Sequence, residues 1–210
     1  MAVRYLLVVL CTICGVWGFE TGPPIDQFPN LCRDMVPTGH QPRNATGASP
    51  YRVTSANSTY SPGKSLKVIV EAIDGTTEIE GLFVQARRSG QGKDKNKAIG
   101  EFAEPPTKTK LLKCGHANSA WAHSAELEAT AAEVTWKAPP CDEGPLVFMA
   151  TIVKGPKEMY WTGVLSTELT FSGTEGAECS AAPTSASVSG IAMMMSVVLA
   201  LCLAVFKNYN

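Results

Sequence analysis

The residues best suited to chemistry lie in "LLKCGHANSAWAHS", Leu111 to Ser124, where Cys114, His116 and His123 fall within ten residues. A thiolate and two imidazoles are donors that a zinc ion accepts. The spacing argues against such a site. Cys114-x-His116 lacks the second cysteine of a C-x₂₋₄-C half-site, and no other cysteine stands near His123. The plainer reading makes Cys114 a disulfide partner, leaves His116 exposed and hydrogen-bonds His123 at a strand end. No metal and no cofactor are expected. The chain contains no G-x-S-x-G elbow, no H-E-x-x-H and no P-loop, so a non-enzymatic protein is expected.

The other chemical feature is a basic run, "ARRSGQGKDKNK", Ala86 to Lys97. Read as a solvated loop it is unremarkable surface. Read functionally, Arg87, Arg88, Lys93, Lys95 and Lys97 form a patch for acidic groups, with the two arginines forking onto phosphate or sulfate. The partners this implies are microbial surface polysaccharide, lipopolysaccharide or other anionic glycans. Nucleic acid is not among them, because the chain balances 18 Lys and Arg against 19 Asp and Glu, a net charge of −1.

Which compartment these residues occupy is set by the two ends. "MAVRYLLVVLCTICGVWGFE" has an early Arg4, a short apolar run and small residues before Phe19, the layout of a secretory signal peptide over 1–18. At the other end a Ser/Ala/Thr/Pro-rich linker, 176–190, leads into an apolar segment, 191–206. Two readings compete for that segment: a glycolipid (GPI) attachment signal with Ser180 as acceptor, or a single transmembrane helix stopped by Lys207. Either anchor places residues 19–175 at the cell surface as one extracellular domain.

Of seven cysteines, Cys11 and Cys14 leave with the signal peptide and Cys202 sits in the apolar tail. Cys32, Cys114, Cys141 and Cys179 remain, an even number that reads as two disulfides in an oxidising compartment. Three pairings are open; the sequential one, Cys32–Cys114 with Cys141–Cys179, is preferred.

These residues must be positioned by strands. "SLKVIVEAI" alternates Leu66, Val68, Val70 and Ala72 with polar neighbours, the period-two pattern of a half-buried strand. "EGLFVQARR" sets Leu82, Val84 and Ala86 against Phe83, Gln85 and Arg87, and "AEVTWKAP" turns Val134 and Trp136 inward. "PLVFMATIV" is almost wholly apolar, as a strand covered on both faces would be. "MYWTGVLSTELTF" supplies one or two more, and Trp161 and Tyr160 there are equally suited to core or surface. "SPGK" and "DGTT" carry turn chemistry. "SAELEATAAEV" is rich in helix formers, yet its length among strand patterns makes it a loop or a single helical turn. The sum is an all-β antiparallel sandwich. Two sequons, at Asn44 and Asn57, mark solvent-facing chain where glycans are expected.

An ordered set of pieces then becomes recognisable: "CRDMVPTGHQP" with "SPYRV", "GLFVQARR", "AIGEF", "LLKCG" with "AHS", and "VTWKAPP" with "GPLVFMATIV". Together they run from about Cys32 to Phe171, and the chain resembles the reeler (reelin N-terminal) domain family. The resemblance implies an immunoglobulin-like β-sandwich and a Cys32–Cys114 bridge. Family members include insect defence proteins, matrix and guidance proteins and ferric-chelate reductases. The implied function is a membrane-anchored recognition or adhesion module in innate defence. A metal or redox accessory of the reductase kind and a structural cell-surface protein are the alternatives.

Overall fold

The computed structural model describes residues 21–37, 45–90, 94–154 and 159–173. Residues 1–18, read as a signal peptide, together with Asn44, Lys93, Cys179, Ser180 and the apolar segment 191–206, lie outside the described residues.

A four-residue helix, α1 (Leu31–Asp34), precedes eleven strands: β1 Tyr51–Ser55, β2 Thr59–Tyr60, β3 Ser65–Ala72, β4 Ile79–Arg88, β5 Glu101–Ala103, β6 Thr109–Leu112, β7 Ala120–His123, β8 Ala131–Lys137, β9 Leu146–Lys154, β10 Met159–Leu165 and β11 Thr170–Phe171. A four-stranded sheet runs β1-β3-β8-β5 and a five-stranded sheet runs β10-β9-β4-β7-β6. Every pairing in both is antiparallel; only β11 and β2 pair in parallel, as a separate two-stranded piece. The fold is therefore an all-β, immunoglobulin-like sandwich, as the alternation of apolar residues predicts.

The core between the sheets is built from the alternating sets. Val68, Val70, Val134 and Trp136 come from one sheet and Leu82, Val84, Phe148 and Ile152 from the other, all buried. Trp136 is fully enclosed, meets Phe148 and Tyr60 edge-on and donates its indole N–H to Ile99 O. Gly100 makes this possible. Its φ of +67° is left-handed, and a Cβ there would stand 2.6 Å from Lys137 O and from the Trp136 ring. Trp161 packs edge-on against Tyr51 and is half-buried, while Tyr160 is buried, so neither forms an exposed platform.

The five-stranded sheet is buried on its second face as well, and this departs from a simple two-layer sandwich. Residues 21–37 lie across it as a strap: Met35, with Ile25 and Cys32, packs on Phe83, Ala120 and Ala122. The strap's carbonyls are met by the sheet's polar side chains. Thr151 Oγ1 donates to Met35 O at 2.6 Å, while Gln85 Nε2 and Arg87 Nη2 donate to Cys32 O at 3.2 and 2.9 Å. Burial of β9 on both faces thus has a physical source in the strap. The segment 124–130 forms no helix; Leu127 N–H bonds Glu80 O and Ala129 bridges Ile79, so sheet contacts override its helix propensity.

Tyr51 and Tyr60 tie the core to its loops through hydroxyl bonds to Glu78 O and Gly144 O. Burial is the main cause that pushes both phenols up to about 12 from an ordinary 10. In the unfolded chain they ionise near 10. Between those values the folded state holds the protons that the unfolded state has lost, so stability falls as pH rises. The urea midpoint is expected to be undiminished by these groups up to about pH 10 and to drop between about 10 and 12. Replacing Tyr60 with Phe should shallow that drop.

Candidate functional site: a groove beside the Cys32–Cys114 bridge

Cys32 and Cys114 are joined, with Cα atoms 5.2 Å apart and a sequence separation of 82. Cys141 is also disulfide-bonded, its partner lying outside the described residues. The first bridge ties the strap to the turn after β6. That turn is fixed from within: Cys114 N–H bonds Ser119 Oγ at 2.8 Å and Ser119 Oγ–H bonds His116 O at 2.7 Å. His116 Nε2 lies 2.7 Å from Gly100 O, and the residue is half-buried; the exposed His116 of the sequence reading is corrected, because the turn folds back onto the β5 approach. His123 ends β7 with Nδ1 3.0 Å from Leu82 O and 3.2 Å from Leu82 N. The three groups of the opening motif therefore do not converge: Cys114 is spent in the bridge and the imidazoles serve separate strands. Among the described residues no three His, Cys, Asp or Glu side chains are grouped to hold a metal.

The basic run divides sharply. Arg87 is 3% exposed. Its Nε and Nη2 donate to Gln85 Oε1 at 3.0 and 2.9 Å, and Nη2 also reaches Cys32 O. Burial pulls its pKa below the ordinary arginine value, opposed by the charges of Asp94 and Asp34. Arg88 pairs with Glu143, both side chains about one-tenth exposed, and its Nη1 donates to Asp94 O at 3.3 Å. Neither arginine is free to fork onto an external anion. Their assignment to the ligand patch is corrected: the strap covers one and Glu143 occupies the other. Lys95 and Lys97 remain exposed.

Beside the disulfide lies an open groove of about 460 Å³ whose lining includes Arg33, Asp94, Asn96, Lys97 and both half-cystines. Arg33 follows Cys32 and Lys113 precedes Cys114, so the crosslink brings two exposed cations together. With Lys95 and Lys97 they give four exposed positive charges, none in an ion pair among the described residues. Asp94 turns its Oδ1 back to Asn96 N–H at 2.9 Å. The outer face of the four-stranded sheet is different: Arg52 pairs with Glu71 and Lys67 with Glu133, which neutralises it. Sequence reasoning missed Arg33 and Lys113. The signal was available in the preferred disulfide pairing, which makes neighbours of residues eighty positions apart.

A second cavity under the strap, bounded by Pro23, Leu31, Met35, Phe83 and His123, measures about 40 Å³. That is room for at least one water.

The Reeler-domain family model matches residues 30–177. Among curated proteins, "Putative defense protein Hdd11-like" of Samia ricini is 30% identical over 171 residues, covering 79% of this chain and 95% of that protein. "Putative defense protein" of Bombyx mori is 31% identical, covering 70% of this chain and 82% of the relative. "Putative ferric-chelate reductase 1 homolog" of Drosophila melanogaster is 26% identical, but the match spans only 25% of that protein. Among solved structures the Reelin-N domain of F-spondin superposes with a TM-score of 0.51 at 18% identity, covering 69% of this chain and 98% of that one, a likeness of fold. The family match over most of the chain, the insect relatives along nearly their whole length and the shared sandwich lead to one conclusion: this chain belongs to the Reeler domain family.

Proposed function

We propose that the domain acts outside the cell as a non-enzymatic recognition module of the defence type, which holds acidic surface polymers at the groove beside Cys32–Cys114. One observation carries the reading: Arg33 and Lys97 line the groove beside the bridge, Lys113 precedes Cys114, and these three with Lys95 are exposed and in no ion pair among the described residues. Unpaired cations on a rigid frame attract polyanions and leave little ordering cost for binding. Relatives bearing the word defense in their names favour a microbial polysaccharide or a lipopolysaccharide phosphate as the polymer. The metal or redox alternative would need Cys114, His116 and His123 to share a ligand, and each is engaged elsewhere.

The test is a binding isotherm of the purified, oxidised domain on immobilised lipopolysaccharide and on a sulfated polysaccharide. Lys95→Glu with Lys97→Glu should weaken binding at least about tenfold, equivalent to ~1.4 kcal/mol, without moving the thermal midpoint. Wild-type affinity in that variant would remove the groove from the account.

A further inference from the structure

We propose that Asn57 carries an N-linked glycan, an inference that rests on the extracellular placement above. Asn57-Ser58-Thr59 has the acceptor pattern, a non-proline residue and then a hydroxyl. It occupies the short connection between β1, which ends at Ser55, and β2, which begins at Thr59, and all three residues are exposed. Asn57 O accepts the Ser55 hydroxyl at 2.8 Å, whereas the Asn57 carboxamide makes no hydrogen bond among the described residues.

The topology also supplies a time window. In the folded domain the sequon is closed by the last strand: Thr170 N–H bonds Ser58 O at 3.0 Å, and Thr59 stands opposite Thr170 in the parallel β2–β11 pair. Thr170 follows Asn57 by more than a hundred residues. At about 5–20 residues per second of synthesis, Asn57 waits roughly 6–20 s before β11 can cover its neighbour. Glycan transfer belongs to that interval, when the sequon is an unpaired segment. The co-reactant is an oligosaccharide on a polyprenyl diphosphate. The Asn57 amide nitrogen forms a bond to the sugar C1, the C1–O bond to diphosphate breaks, the amide gives up one proton and polyprenyl diphosphate leaves.

The position suits a recognition domain. β1 is one edge of the four-stranded sheet and β5, which follows Lys97 and Ala98 of the groove, is the other. Three strand spacings, roughly 14 Å, separate them. A glycan on Asn57 would stand beside the β1 edge of that sheet and hinder strand-to-strand association there.

The experiment expresses the full chain in secretory eukaryotic cells, with Asn44→Gln to remove the other sequon. Peptide N-glycosidase in heavy-oxygen water should convert Asn57 to an aspartate carrying the label. Asn57→Gln and Thr59→Ala should each abolish one glycan step in gel mobility. Recovery of the Asn57 peptide wholly unmodified overturns the proposal. If Cys32 and Cys114 are oxidised in that same material, the extracellular reading survives and only the glycan falls; if they are reduced, both fall together.

Discussion

Replacing Cys32 and Cys114 together by alanine is expected to lower the unfolding free energy by about 4–5 kcal/mol. The bridge closes a loop of 82 positions. The chain-entropy relation assigns a loop of that length somewhat over 4 kcal/mol. The native state loses as well, because the crosslink pins the strap that covers Phe83, Ala120 and Ala122. Total stability of a domain this size is of the order of 5–15 kcal/mol, so the variant should retain its sheets at low temperature yet melt far below the wild type. Differential scanning calorimetry of the two proteins measures the difference. A loss below about 1 kcal/mol would show that the strap is held by its hydrogen bonds alone. Binding should weaken too, because the bridge fixes the backbone from which Arg33 and Lys113 project.

The second large effect concerns Arg87 and Arg88, and its direction separates scaffold from site. Arg87→Ala removes three hydrogen bonds and leaves Gln85 Oε1 buried without its guanidinium donor. Cys32 O retains Gln85 Nε2. An orphaned buried acceptor costs about 1–3 kcal/mol and the vacated volume adds to it, so a loss near 3 kcal/mol is expected. Arg88→Ala strands Glu143, a buried carboxylate, and breaking one half of a buried pair costs about 3–5 kcal/mol. Both variants should therefore fail by unfolding. Under conditions where each remains folded, checked by circular dichroism, its affinity for acidic polysaccharide should stay within about twofold of wild type. The opposite outcome, a stable Arg87→Ala that no longer binds, would return the arginine to the ligand surface.

These two residues also show where sequence stops being legible. Period-two alternation assigned Leu82, Val84 and Ala86 to one face of β4 and Phe83, Gln85 and Arg87 to the other, and the structure keeps that division. What alternation could not reveal was a third layer. A strap without strand pairing leaves no periodic trace, so Arg87 read as part of an exposed basic patch when it and Gln85 cap the strap's carbonyls. Trp136 was legible as core because its neighbours Thr135 and Lys137 are polar. The helix formers of 124–130 misled only to the extent that propensity is weak beside Leu127 and Ala129 bonding to β4. The site was half legible: Lys95 and Lys97 belong to a visible charge run, whereas Arg33 and Lys113 join it only through a crosslink between distant segments.

The most direct test of the central claim is the salt dependence of binding. Wild-type domain and a variant with Arg33, Lys95, Lys97 and Lys113 all changed to alanine would be titrated onto lipopolysaccharide from low to high ionic strength. Exposed charges meeting a polyanion are screened over about 10 Å at 0.1 M salt. The prediction is an affinity for wild type that falls steeply with salt, and for the variant a weaker affinity and a shallow slope at unchanged thermal stability. Equal affinities and equal slopes for the two proteins would contradict it.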